Sequence, residues 1–215
     1  MTMSKLFLES LDKEKLEVFH KLKNFKKLGV LGGGTALALQ IGHRVSYDFD
    51  IFTFRKLNRS LWLKLRKVFG KSSNRYLDTE DQLNMTTPTS VYITLFKDDY
   101  KSLYKPIHTE YIDLMDIRDI AANKAFTIGR RPKWRDYVDI YFLIKNKYLK
   151  LEEIISISKQ KFKNGFSEKL FIEQLTYWDD IEDYGIRFLN DQISIDVIKN
   201  LLFRESSKFT SKLFK

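Results

Sequence analysis

Cysteine is absent from the 215 residues, and histidine and proline occur three times each. Without cysteine there is no disulfide framework, no thiol nucleophile and no thiolate site for zinc or an iron–sulfur cluster. Three histidines supply no histidine-rich metal cage. So few prolines offer no linker, and no repeat or low-complexity tract interrupts the chain, so its two halves are expected to pack together. No window approaches about 18 uncharged apolar residues, which predicts no membrane span. Met1–Leu11 has no cationic stretch leading into an apolar run, and charges follow at once in Asp12–Lys15, so the expected location is the cytoplasm.

What is present suits a globular chain with a sizeable core: 43% hydrophobic and 31% charged residues. The net charge of +10 argues for an anionic partner such as nucleic acid or nucleotide. That charge is unevenly spread. Arg118–Lys150 carries nine basic and three acidic residues, and Lys199–Lys215 five basic residues against Glu205. Glu168–Asp196 runs the other way, with eight acids and two bases. Most such runs are simply solvated faces.

Hydrophobic periodicity predicts an amphipathic helix over Leu11–Lys27, with Leu11, Val18, Phe19, Leu22 and Phe25 on one stripe. A short strand, Leu28–Leu31, runs into Gly32-Gly33-Gly34, and Thr35 begins a compact helix to Ile41. Asp48–Phe54 reads as a strand and Leu61–Phe69 as a helix capped by Asn58 or Ser60. Arg75–Phe96 holds two or three strands with a loop near Thr86–Thr89, and Tyr111–Leu114 is one more short candidate. Beyond Asp116 the pattern turns helical: a helix capped by Asp116 or Asp119 runs to Ile128, Gly129 closes it, and Pro132 opens the next to Lys145. Leu151–Phe162, Ser167–Trp178 and Ile193–Phe214 follow. The expected organisation is an α/β (α+β) core over 1–115 with a small mixed sheet, followed by a helical bundle over 116–215.

Chemistry concentrates in Gly32-Gly33-Gly34-Thr35 and in His43-Arg44-Val45-Ser46-Tyr47-Asp48-Phe49-Asp50. On a strand, Asp48 and Asp50 project together, about 7 Å apart, while Phe49 and Ile51 enter the core. Such a pair can share a hard, oxygen-seeking cation such as Mg²⁺ or Mn²⁺, although a bare Asp-x-Asp is more often two solvated acids. The glycine turn places backbone amides and the Thr35 hydroxyl at a helix start, a seat for phosphates; alone, it is an ordinary tight turn. Together the two features describe metal-assisted phosphoryl or nucleotidyl transfer.

Gly33-Gly34-Thr35-Ala36-Leu37-Ala38-Leu39 with His43-Arg44-x-Ser46-x-Asp48-x-Asp50-Ile51-Phe52 closely resembles the AbiEii/AbiGii-type nucleotidyltransferases. These belong to the polymerase-beta-like nucleotidyltransferase superfamily and include toxins of toxin–antitoxin and phage-abortive systems. A second block matches in the same order: Asp119-Ile120-Ala121-Ala122-x-Lys124-Ala125, then Arg131 and Arg135-Asp136-Tyr137-x-Asp139-Ile140-Tyr141. The resemblance covers roughly residues 29–145. It implies that Asp48 and Asp50 hold Mg²⁺, that Gly33, Gly34 and Thr35 seat an NTP triphosphate, and that Ser46 supports that loop. It further implies that Lys124 neutralises phosphate charge and that Asp136 orients Lys124 or contacts the nucleotide. Arg44 and Arg135 are either substrate contacts or structural ion-pair partners, and His43 is expected to orient the loop.

Read from the residues alone, the second block is a helix with Tyr137, Ile140, Tyr141 and Ile144 as its buried stripe and Asp136 and Asp139 on a neighbouring face. Its bland alternative is a surface lysine and an Arg135–Asp139 pair worth about 0.5 kcal/mol. The three tryptophans, Trp62, Trp134 and Trp178, are expected in the core. Trp134 and Tyr137, among arginines, offer the alternative of a base-stacking surface. One departure from the superfamily stands out: the strand expected to carry a third carboxylate, Val91–Phe96, contains no acid. The expected function is therefore NMP transfer from an NTP to an acceptor, RNA (tRNA) foremost, by a toxin held by an antitoxin partner. The alternative is a catalytically degenerate nucleotide- or RNA-binding protein of the same fold.

Overall fold

The computed structural model of the chain describes residues 5–58, 60–131, 133–190 and 192–213. The chain forms two compact units that divide between Asp116 and Ile117.

In the first unit, Asp12 caps α1 (Lys13–Lys21) by accepting the Lys15 backbone N–H at 3.0 Å. The predicted stripe then continues as a 3-10 turn, Leu22–Phe25, rather than as α-helix. Three residues per turn stack Leu22 above Phe25, and both are buried. The strand β1 (Gly29–Gly32) passes directly into α2 (Gly33–Ile41), which starts two residues before Thr35 because Gly33 takes the connecting turn into the helix at φ 64°. β2 (Asp48–Thr53), α3 (Leu61–Phe69), β3 (Asn74–Asp78), β4 (Gln82–Thr86) and β5 (Tyr92–Lys97) complete the unit. Ser60 occupies the first position before α3 without a side-chain cap bond, while the Asn58 carboxamide accepts from its N–H at 2.8 Å. Tyr111–Leu114 forms no strand; Leu114 makes only isolated bridges to Leu31 and Ile107.

The sheet is five-stranded and mixed, in the order β1-β2-β5-β4-β3, with β2 and β5 parallel and the other pairs antiparallel. One face is apolar: Phe49, Ile51, Leu83, Met85, Ile93 and Leu95 are all at most 1% exposed. Each such side chain contributes about 1.5–3 kcal/mol by leaving water. A one-residue slip would exchange them for acids and amides, so the register is firmly held. Along β2, half-buried and buried residues alternate, with Asp48 and Asp50 on the open face. The outermost strand, β3, is exposed at every residue.

The second unit contains α4 (Ile117–Ile128), α5 (Trp134–Lys145), α6 (Leu151–Phe162), α7 (Glu168–Leu175) and α8 (Ile195–Leu213). α4 packs against α5, α6 and α7, and α8 against α5, α6 and α7. Asp119 is not a cap. It lies within the first turn of α4, fully buried, with the equally buried Lys161 ammonium 2.9 Å away. The expected helix opener Pro132 and the expected helix end Phe214 lie outside the described residues. Ser167 caps α7, accepting the Leu170 N–H at 3.2 Å. The helix stops at Leu175, short of Trp178, where the Thr176 hydroxyl turns back to donate to the Glu173 carbonyl at 3.0 Å.

Candidate functional site

Gly33 is favoured by conformation, at φ 64°, and by contact. A Cβ built on Gly33 would stand 2.5 Å from the Asp50 Oδ2, so only glycine lets the start of α2 come against that carboxylate. A Cβ on Gly34 would strike the Arg44 guanidinium. In the sheet, Gly32 is in register with Asp50, so β1, the helix start and β2 meet at one point. No side chain caps the N-terminus of α2. The positive end of its dipole lies at Gly33, beside the Asp50 carboxylate.

Thr35 and Ser46, both buried, form the floor beneath this point. The Thr35 hydroxyl has two partners, the Ser46 Oγ at 2.7 Å and the backbone carbonyl of Asp48. The threonine thereby ties the start of α2 to the start of β2. Arg44 is buried under the glycine turn and donates to the Val45 carbonyl at 3.0 Å. His43 is buried beside it in the chain. The segment 43–46 is thus an internal support for the acids.

The sheet decides what neighbours them. Asp48 is in register with Tyr92, and Asp50 with Thr94, across the parallel β2–β5 pair. Thr94 is in turn in register with Asn84 on β4. The strand without an acid is therefore the one directly beside the acid pair, and a threonine stands next to Asp50. Among the described residues, no group of three or more His, Cys, Asp or Glu side chains is gathered for a metal.

The second motif forms a sealed ionic cluster. The Lys124 ammonium on α4 lies 2.5 Å from Asp136 Oδ1 and 2.7 Å from Asp139 Oδ2, both on α5. All three side chains are nearly or fully buried, and Arg131 reaches Asp136 at 3.7 Å. Lys124 is not a surface residue: its ammonium lies between two buried carboxylates. Trp134 and Tyr137 stack with ring centroids 5.9 Å apart but are only 2% and 0% exposed, so no base can lie on them. Burial, with the Asp180 and Asp136 charges, pushes the Tyr137 phenol far above its ordinary range. Of the three tryptophans only Trp134 is in the core; Trp62 and Trp178 are half-buried.

No family model matches the chain. An uncharacterized protein of Aquifex aeolicus, aq_aa25, is 28% identical over 184 residues, covering 82% of this chain and 87% of that protein. Among solved structures, a candidate nucleotidyltransferase from Helicobacter pylori superposes with a TM-score of 0.60 at 20% identity, covering 93% of this chain and 94% of its own. The H. pylori protein JHP933 gives 0.53 at 17% identity, covering 94% and 97%. MenT4, a nucleotidyltransferase toxin of Mycobacterium tuberculosis, gives 0.60 at 13% identity, covering 90% and 80%. The chain has a nucleotidyltransferase fold.

Within that fold, the residues at β2 suit a divalent cation. Mg²⁺ takes one or two carboxylates and keeps the rest of its shell for water and substrate phosphate, so it needs no larger cage. Two carboxylates on one strand face, one of them against a glycine cradle at a helix N-terminus, supply that donor set. Sequence reading missed Thr94, Tyr92 and Asn84 as neighbours of the acids, and Asp139 as a partner of Lys124. Alternation along 91–96 does put Tyr92 and Thr94 on one face, but which strand lies beside them is not written locally.

Proposed function

We propose that the chain is a metal-dependent nucleotidyltransferase of the AbiEii/AbiGii type that moves an NMP from an NTP to an acceptor hydroxyl. The observation that carries this reading is the Asp48–Asp50 pair on the open face of β2, with Asp50 against the glycine start of α2. Mg²⁺ or Mn²⁺ held by Asp48 and Asp50 supplies Lewis-acid neutralisation of the phosphates. The uncapped amides of Gly33 and Gly34 seat the triphosphate. Thr35 and Ser46 act from below: their hydroxyls hold the two motifs at fixed spacing. For Lys124 the resemblance implies a phosphate-neutralising charge, which its ammonium would supply while shared between Asp136 at 2.5 Å and Asp139 at 2.7 Å.

The acceptor class is RNA, with tRNA foremost, supported by the net charge of +10. The physiological role is that of a toxin held by an antitoxin protein in the cytoplasm. It is supported by the resemblance of the two motifs and by the likeness to a nucleotidyltransferase toxin. Labelled NTPs, Mg²⁺ and total RNA test the chemistry. Label entering RNA, and lost in Asp48→Ala and Asp50→Ala, is the expected result; no transfer to any acceptor would sink it.

One observation favours a second reading. Thr94 stands beside Asp50 on the strand where a third carboxylate was expected, leaving no acid there to take the proton of an attacking hydroxyl. A protein that binds NTP or RNA without transferring it would have the same fold. Equilibrium NTP binding that persists while no label is transferred identifies this case.

A further inference from the structure

The two edges of the sheet are treated differently. At β1 the outer edge is met: the Leu31 N–H donates to the Asp113 carbonyl at 2.9 Å, and its carbonyl accepts the Met115 N–H at 2.8 Å. Among the described residues, no strand lies beyond β3, which is exposed throughout. An uncovered edge of this kind is a template for another strand.

A bulge decides which strand fits. Asn74 and Arg75 are in register with Thr86 and Met85, but Leu77 and Asp78 with Asn84 and Leu83, so Tyr76 is an extra residue. Arg75 and Asp78 therefore share the apolar face of the sheet, that of Met85 and Leu83, where they pair with each other. Tyr76 and Leu77 share the open face. The Tyr76 hydroxyl lies 3.2 Å from Thr86 Oγ1 and its ring stacks on Tyr92, while Leu77 is in register with Asn84. From Arg75 to Asp78 the faces run apolar, open, open, apolar, the same read in either direction.

A regular strand alternates, so one that matches β3 before the bulge is out of step after it. A second copy of β3, antiparallel about a two-fold axis between Tyr76 and Leu77, is in step at every pair. Arg75 then stands opposite Asp78 of the second copy, and Tyr76 opposite its Leu77. Charge agrees with face: two arginine–aspartate pairs and two tyrosine–leucine pairs cross the axis. All four side chains reach solvent, Tyr76 and Leu77 at 64% and 38% exposure, Arg75 and Asp78 at 41% and 24% for their side chains. We infer that β3 is the self-association edge of this chain and joins two five-stranded sheets into one across an isologous two-fold. Because that axis is normal to the sheet, the Asp48–Asp50 pairs of both copies open on the same side. Nothing in this inference rests on the transferase reading.

The test is size-exclusion chromatography with light scattering on the full chain. The wild-type protein is expected at twice its mass of 25.6 kDa. Arg75→Glu leaves only acids at the paired positions and Asp78→Lys only cations. Each variant alone sets like charges across the axis and is expected to weaken the dimer roughly tenfold or more. An equimolar mixture of Arg75→Glu and Asp78→Lys chains restores both crossing pairs and is expected to recover the dimer. The pair inside each chain stays broken in that mixture, so recovery reports contact between chains. Circular dichroism melting confirms that each variant folds. A wild-type chain that stays monomeric, a dimer that neither variant weakens, or a mixture of folded variants that stays monomeric overturns the proposal. A dimer with no NMP transfer leaves this edge standing while the transferase reading fails; a monomer that transfers NMP does the reverse.

Discussion

The two units use the same residue types to opposite ends. In the first, two aspartates stand half-buried on an open sheet face beside a glycine turn. In the second, two aspartates and a lysine are closed into a core. The first arrangement keeps both side chains at a face open to solvent. The second consumes its charges internally, because buried charges persist only when paired. Loss of activity on mutation therefore means different things in the two places, and stability has to be measured alongside.

The largest expected effect lies in the second unit. Lys124→Ala removes the ammonium between the buried Asp136 and Asp139 and should cost about 3–5 kcal/mol. Urea unfolding checks it; an unchanged midpoint would erase the contrast. In the first unit, Asp48→Asn or Asp50→Asn should cut NMP transfer by about 10²–10³-fold, with a smaller change in stability than Lys124→Ala, since both acids stand at the open face. A parallel collapse of stability would make these acids structural.

Glycines sharpen the comparison at smaller scale. Gly33→Ala meets Asp50 at 2.5 Å and holds alanine at φ 64°, so a loss of about 1–3 kcal/mol with weakened NTP binding is expected. Gly129→Ala, in the second unit, meets only the flexible end of Leu170 at 3.3 Å and should change stability by under about 1 kcal/mol.

The smallest effect is a pH dependence. Burial by itself raises the Asp113 carboxyl, but hydrogen bonds from His108, Lys26 and the Thr109 backbone outweigh it and hold the carboxyl below its ordinary value. A depressed folded value gives stability that is complete above the ordinary carboxylate range and lost as pH falls through the folded value. Asp113→Asn should therefore cost about 1 kcal/mol at neutral pH and little in acid, read from melting at both.

Much of the local structure was legible in advance. α3 and α6 have the bounds expected from their stripes, and β2 alternates as its acids and aromatics required. The acid pair and the glycine turn were visible because a two-residue period and a run of glycines are local features. Other elements escaped. Tyr111–Leu114 has strand composition but finds only isolated bridges, and the end of the first helix tightened into a 3-10 turn. The aromatic pair among arginines suggested a stacking surface at Trp134 and Tyr137, yet helix packing closed over both.

By itself the sequence determined most of the elements and which residues share a face of each, because alternation and helical repeat follow from backbone geometry within a few residues. Only the tertiary structure decided that β5 lies between β2 and β4, setting Thr94 and Tyr92 beside the acids. It alone sealed Lys124 between Asp136 and Asp139 while leaving Asp48 and Asp50 at the open face. Strand order and desolvation arise from contacts between residues far apart in the chain, and no local period encodes them.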